Sequence, residues 1–320
     1  MAEMNRRQFV NSCTVAGLGA AVGRPSALSG GERLFDSPSP NAPFSLSVML
    51  WTVEPKLAFE QRIAKVADAG YHAVELVGEW QGWSKDEFLR ARRQLHQLGM
   101  VVDACSGIHA SLCDPVQRDA LLGEIRALVP ALGEFECARL ILLTGDRVAG
   151  LSHEQMHANC VESLKRAADL TAPQNIEILL ETIDPEENPR YCLPTVAEGF
   201  QVVREAGHPR VKLLYDFFHE QIAEGNLIAK LEKNMDLLGL VHIADVPGRH
   251  EPGTGEINFS NIFRKLGQLG YSRYVAMEFR PTGDVVASLR AARELAEKCG
   301  AEGHAQRAQN LAAAGIPATS

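Results

Sequence analysis

The sequence predicts a single-domain α/β protein, a (β/α)8 TIM barrel, and three observations carry that prediction. Eight apolar runs recur along the chain, segments of helical period separate them, and no composition break marks a second domain. The runs are residues 44–50, 72–78, 100–107, 139–145, 176–182, 211–217, 239–245 and 274–280. Between them, apolar residues return at helical spacing in 57–69, 85–98, 117–132, 156–170, 195–206 and 227–238. Units of roughly 30–40 residues, each one strand and one helix, fit a closed barrel of alternating elements. An open doubly wound sheet is the alternative, but no glycine-rich phosphate loop follows the first run.

Taken in order, the strands differ in how they end. The first passes into Trp51, the second carries Glu75, and the third leads to His109. The fifth, Ile176-Glu-Ile-Leu-Leu-Glu181, terminates in a carboxylate, as do Val211-Lys-Leu-Leu-Tyr-Asp216 and Tyr274-Val-Ala-Met-Glu278. The seventh, Val241 to Ala244, is apolar but for His242 and opens into a loop of Pro247, Gly248, Pro252, Gly253 and Gly255 with Arg249 at its exposed tip. His250 and Glu251 on that loop are expected to face solvent. Glu177 and Lys212, four residues before Glu181 and Asp216, either pair near the barrel floor or lie separately in water.

A carboxylate at the end of a buried strand is costly unless a cation or several hydrogen bonds receive it. Any one of these acids could be a helix N-cap or a turn residue. Four successive strands ending in Glu181, Asp216, His242 and Glu278 suggest instead one shared cation at the C-terminal mouth, where barrel chemistry gathers. Three carboxylates and an imidazole make an oxygen-dominated donor set suited to one divalent cation, Mn2+ or Mg2+. Two open positions on that cation could take a carbonyl and the neighbouring hydroxyl of a substrate, acidifying the C–H between them and stabilising an enediolate. Glu181 and Glu278, on strands separated by two others, could then stand on opposite sides of the substrate and move the proton.

These residues resemble the hydroxypyruvate isomerase family of the xylose isomerase-like barrel superfamily. The likeness rests on Asp-Val-Pro-Gly-Arg249-His-Glu-Pro-Gly-Thr-Gly-Glu-Ile-Asn258, Leu-Glu181-Thr-Ile-Asp, Asp216-Phe-Phe-His219-Glu-Gln221 and Glu278-Phe-Arg-Pro281, and it covers about residues 44–298. The resemblance implies that Glu181, Asp216, His242 and Glu278 are metal ligands, that Glu181 and Glu278 are also the catalytic acid/base pair, and that His219 and Arg249 contact substrate. The chain departs from close family members, which often carry Gln in place of His242 and normally lack an export signal. The related ketose 3-epimerases carry His at that ligand position. By barrel geometry Trp51, Glu75 and His109 lie near the mouth, Trp51 as a pocket wall, Glu75 and His109 as partners of the substrate or of its ligands.

The expected reaction is interconversion of a small keto acid or ketose with its hydroxy-aldehyde isomer, hydroxypyruvate to tartronate semialdehyde being the named candidate. A ketose 3-epimerase or a sugar dehydratase or lyase could use the same groups. A non-catalytic exported sugar-binding barrel has no need of two bases across one metal. The net charge of −8 and pI near 5.7 leave no basic stripe for nucleic acid. Seven cysteines include no Cys-x-x-Cys pair, so neither a zinc knuckle nor a thioredoxin-type site is supported.

Residues 1–30 read as a twin-arginine-type signal peptide: Arg6-Arg7 and Phe9, then an uncharged stretch of small and apolar residues, then Pro25. Export machinery is therefore an expected partner, with a periplasmic or exported location after folding in the cytoplasm. Residues 31–43 read as linker, 44–300 as the barrel and 301–320 as a flexible C-terminal tail rich in Ala and Gly. No stable membrane span is expected, since no run approaches the roughly 18–20 apolar residues required. A homo-oligomer is compatible with the sequence and not specified by it.

Overall fold

In the computed structural model, which describes residues 42–316, the eight runs form parallel strands closed in sequence order into a barrel. They are β1 (Ser45–Met49), β2 (Ala73–Val77), β3 (Val101–Ser106), β4 (Arg139–Leu143), β5 (Glu177–Glu181), β6 (Val211–Asp216), β7 (Leu238–Ile243) and β8 (Tyr274–Met277). Closure runs from Ser45 opposite Tyr274 to Val48 opposite Met277, which leaves the sheet without an edge. The surrounding helices are α1 (Phe59–Asp68), α2 (Lys85–Gln97), α3 (Arg118–Glu134), α4 (His153–Thr171), α5 (Val196–Ala206), α6 (Phe217–Ala223), α7 (Leu227–Lys233), α8 (Phe259–Leu269) and α9 (Val285–Ala313). Ser84, Ser152, Thr195, Asn258 and Asp284 cap α2, α4, α5, α8 and α9 by accepting a backbone N–H, each worth about 1 kcal/mol. No helix among the described residues is long and apolar enough to cross a membrane.

The strands bury both faces. Met49, Ala73, Val77, Ala104, Ile141, Leu179, Leu214 and Leu240 fill the barrel interior. Their neighbours, such as Val48, Leu76, Leu140, Leu180 and Leu213, turn outward against Ile63, Leu121, Leu164, Val203 and Phe263 of the helices. Two buried faces are why each run is continuously apolar instead of alternating.

Two expectations need correction, one open alternative is decided, and one helix was not foreseen. The helix read over 227–238 stops at Lys233; Asn234 leaves helical geometry, Met235–Leu237 make a 3-10 turn, and β7 already begins at Leu238. A short helix, α6, follows β6 without a loop because Asp216 caps it directly. Glu177 and Lys212 do not pair: the register sets Leu179 beside Lys212, Glu177 meets Arg273, and Lys212 Nζ donates to the Asp236 carbonyl at 2.7 Å. The expected tail from residue 301 is largely helix, since α9 continues to Ala313.

Glycine explains that last difference. A Cβ on Gly267 of α8 would lie 2.2 Å from the Gly300 carbonyl oxygen, and one on Gly303 would lie 1.9 Å from the Arg264 carbonyl oxygen. The missing side chains bring α8 and α9 into backbone contact, so the small residues that suggest fraying are an interface. Farther back, α9 fastens onto the α1–β2 connection: the Tyr71 hydroxyl donates to the Leu289 carbonyl at 2.8 Å, Arg290 to that of Asp68 at 2.9 Å and Arg293 to that of Ala69 at 3.0 Å. The signal peptide and most of the linker expected before residue 42, like residues 317–320, lie outside the described residues.

Candidate active site

The ends of β5 to β8 bring Glu181, Asp216, His242 and Glu278 together, all buried. One ligand atom from each lies within 4.8 Å of the other three. His242 is held from both sides: Nδ1 is 2.7 Å from Glu278 Oε2 and 3.8 Å from Glu181 Oε1, while Nε2 is 2.9 Å from Glu75 Oε2 on β2. Trp51 donates its indole N–H to Glu278 Oε1 at 2.9 Å, which orients that carboxylate as well as walling the site. Asp216 is divided between two tasks. Its Oδ1 accepts the Phe218 and His219 N–H groups at 2.7 and 3.4 Å, capping α6, and its Oδ2 faces Arg249 and His219 at 3.4 and 3.5 Å.

Arg249 is not exposed at a loop tip. It is buried, with Nη1 2.7 Å from Glu187 and Nη2 3.0 Å from Glu278, and its guanidinium sits over the Phe218 and Trp51 rings at 4.9 and 5.6 Å. The loop is turned inward by Asp245, itself fully buried. Its carboxylate accepts the N–H groups of Val246, Gly253, Gly255 and Ile257, all at 2.9–3.0 Å. Arg249 adopts a positive φ of 58°, a strained geometry for a residue with a side chain, stabilised here by these bonds and by the three acids it meets. His250 and Glu251 are anchors, not solvent-facing residues: His250 Nδ1 lies 2.8 Å from the Arg280 carbonyl, and Glu251 accepts from Thr282 and Ser288.

His219 projects from α6 with Nδ1 2.6 Å from Asp184 Oδ2, while its buried Nε2 has no hydrogen-bond partner. That imidazole nitrogen, beside Asp216, is a donor or acceptor directed at whatever occupies the site. Burial and the Arg249 charge lower the His219 pKa, but the charge of Asp216 and the hydrogen bond to Asp184 help outweigh them and the net shift is upward. For His242 burial likewise pulls down, and Glu75 and Glu278 carry it well above the ordinary imidazole value. Of the two further residues expected near the mouth, Glu75 partners His242 and His109 does not. Glu75 lies behind His242, and the imidazole of His109 is exposed against Glu124 of α3, 3.7 Å away.

Glu75, Glu181, Asp216 and Glu278 are all essentially inaccessible, a concentration of buried acids faced by Arg249 and by the imidazoles of His242 and His219. Three carboxylates and one imidazole nitrogen converging within reach of one point fit a divalent cation. Asp184, Glu187 and His219 form a second converging group, and there the guanidinium of Arg249 already meets Glu187.

The model of the xylose isomerase-like TIM barrel family matches residues 63–299. The chain belongs to this family. Among its relatives, the 2-oxo-tetronate isomerase of Haemophilus influenzae is 35% identical over 73% of this chain and 92% of its own. The hydroxypyruvate isomerase of Escherichia coli is 29% identical over 72% of this chain and 92% of its own. An AP endonuclease, family 2, from Brucella melitensis superposes with a TM-score of 0.69 at 24% identity, covering 78% of this chain and 96% of the other, which speaks to the fold alone.

Within this family barrel the sequence reading misses Asp184, Glu187 and the role of Asp245. Asp184 binds the Glu186 and Glu187 N–H groups, each at 2.8 Å, and so shapes the turn that presents Glu187 to Arg249. The acid-rich run Asp184-Pro-Glu-Glu187 just past Glu181 is the only sequence signal for it.

Proposed function

We propose that this chain is a divalent-cation-assisted isomerase of a small 2-keto acid, with hydroxypyruvate and tartronate semialdehyde as the candidate pair. The observation that carries the reading is the placement of two buried carboxylates, Glu181 and Glu278, in one cluster with Asp216 and His242. The names of the relatives, hydroxypyruvate isomerase and 2-oxo-tetronate isomerase, support the substrate class. When bound, Mn2+ or Mg2+ would polarise adjacent carbonyl and hydroxyl oxygens and offset the buried acids. One glutamate removes a proton from C3 of the substrate and the other returns one to C2. The hydroxyl proton passes from the C3 oxygen to the C2 oxygen, so the ketone becomes a secondary alcohol and the primary alcohol an aldehyde. His219 Nε2, aimed into the same space, is the group placed to hold or relay that hydroxyl proton. Arg249 and Trp51 close the wall and exclude water.

A ketose 3-epimerase is the second reading, and the engagement of Arg249 favours it. A guanidinium already meeting Glu187, Asp216 and Glu278 is less available to a substrate carboxylate than one at a loop tip. Incubation with Mn2+ in heavy water, against hydroxypyruvate, 2-oxo-tetronate and neutral ketoses, tests both. Deuterium entering beside the carbonyl of the keto acids only supports the isomerase. Exchange confined to the ketoses selects the epimerase, and no exchange with any compound overturns both. We also propose that residues 1–30 direct export of the folded chain, on the strength of Arg6-Arg7 and the apolar segment after them.

A further inference from the structure

Glu75 is fully buried, on the opposite side of the barrel from β6, and one of its oxygens is committed to His242. Its Oε2 lies 2.9 Å from His242 Nε2, and its Oε1 has no hydrogen-bond partner. A carboxylate only accepts, so the nitrogen facing Glu75 carries hydrogen. Glu278 makes the same demand at Nδ1, so without a cation both ring nitrogens donate, and a cation in that place leaves hydrogen only on Nε2 and the lone pair on Nδ1. That nitrogen, Nδ1, is the one facing Glu278 and Glu181.

We propose that Glu75 is a positioning residue: it fixes His242 in the Nε2–H tautomer and so directs Nδ1 at the cation shared with Glu181, Asp216 and Glu278. The inference rests on the cation reading above and goes beyond it, because Glu75 is not one of the four converging groups. Hydrogen bonds behind metal-bound histidines fix tautomer and ring orientation in this way. The contact also accounts for an otherwise costly feature, a buried acid inside a barrel layer made of Met49, Ala73, Val77 and Ala104. It is specific to an imidazole: a glutamine at position 242 has no second ring nitrogen to offer Glu75.

The test compares the wild-type chain with Glu75→Gln, each alone and combined with His242→Gln. Calorimetric titration with Mn2+ alone is expected to show about 10–100-fold weaker binding for Glu75→Gln in the His242 background. In the His242→Gln background the same change should leave affinity within about twofold, since the residue it acts through is gone. In Mg2+-loaded protein labelled with 15N at histidine, His242 should show a protonated Nε2 and an unprotonated Nδ1, with the Nε2–H proton shifted downfield and that shift lost in Glu75→Gln. Equal loss of Mn2+ affinity in both backgrounds would overturn the proposal, because it would mark Glu75 as a general negative charge or a packing residue. An unchanged Nε2–H signal would overturn it too. Should Glu75→Gln fail to fold, Glu75→Asp, which keeps the charge and withdraws it from the ring, must weaken Mn2+ in the same background-dependent way. Absence of Mn2+ binding by the wild type would sink the cation reading instead. The Nε2–H shift in cation-free protein would still decide whether Glu75 holds the ring.

Discussion

Replacing Arg249 with methionine removes the cation that this structure places among Glu187, Asp216 and Glu278, at 2.7, 3.4 and 3.0 Å. Methionine keeps much of the apolar bulk against Trp51 and Phe218, so the change isolates charge from packing. Breaking a buried ion pair and leaving the acid uncompensated costs about 3–5 kcal/mol. At about 2 °C per kcal/mol, the figure for large domains, that is a fall in Tm of about 6–10 °C. A divalent cation bound by Asp216 and Glu278 would neutralise two of the three orphaned acids. The fall should therefore be large in chelator and much smaller in saturating Mn2+, read by circular dichroism melts in the two buffers. By linkage, the variant should also bind Mn2+ more tightly than the wild type. Equal losses with and without cation would refute the reasoning, since Arg249 and the cation would then not answer the same acids.

Four further outcomes follow from the geometry. Asp216→Asn should retain an acceptor for the α6 cap yet lose most bound cation by elemental analysis, whereas Asp216→Ala should also lose about 1 kcal/mol of stability with the cap. Glu181→Gln and Glu278→Gln, assayed at saturating cation, should each lower kcat by about 10^2–10^4-fold, and near-wild-type turnover in either would assign the proton transfer elsewhere. Because the His242 pKa is raised in the folded chain, its protonated form stabilises the cation-free protein fully below the ordinary imidazole value of 6.5, and that stability is lost as pH rises through the folded value. Cation uptake displaces the same proton, so Mn2+ affinity measured by titration should climb with pH across that window, and a flat profile would remove His242 from the ligand set. Lys-Lys in place of Arg6-Arg7 should retain the chain in the cytoplasm by cell fractionation, and unaltered export would dismiss the signal.

The four clustered groups, Glu181, Asp216, His242 and Glu278, were legible because each stands at or near the C-terminal end of an apolar strand, where a lone polar group has no bland partner in sequence. The barrel was legible for the same reason, since strands buried on both faces leave unbroken apolar runs at Leu140 to Leu143 and Ile178 to Leu180. What sequence could not supply is direction across space. Arg249 sits among glycines and prolines, a pattern that reads as surface, and only the four N–H groups gathered by Asp245 turn it inward. Glu75 and His242 are 167 residues apart, and no local pattern pairs them. His109 was placed at the mouth by strand geometry alone, but Glu124 claims its backbone N–H at 2.6 Å and holds the imidazole outside.

The hold of α9 on Asp68, Ala69 and Leu289's partner Tyr71 has a consequence for how the protein is made. These bonds span 218 to 224 residues, and β1 finds its second neighbour only when β8 arrives. During synthesis both edges of the growing sheet stay open until Tyr274–Met277 leave the ribosome. Contacts of such long separation are slow to form, and unpaired strand edges meanwhile invite association with other chains. A ribosome that stops inside α9 would release a sheet whose two ends have met but have not been latched. Completion of the fold thus hangs on one late event: the arrival of the helix that ties the final β/α unit back to the first.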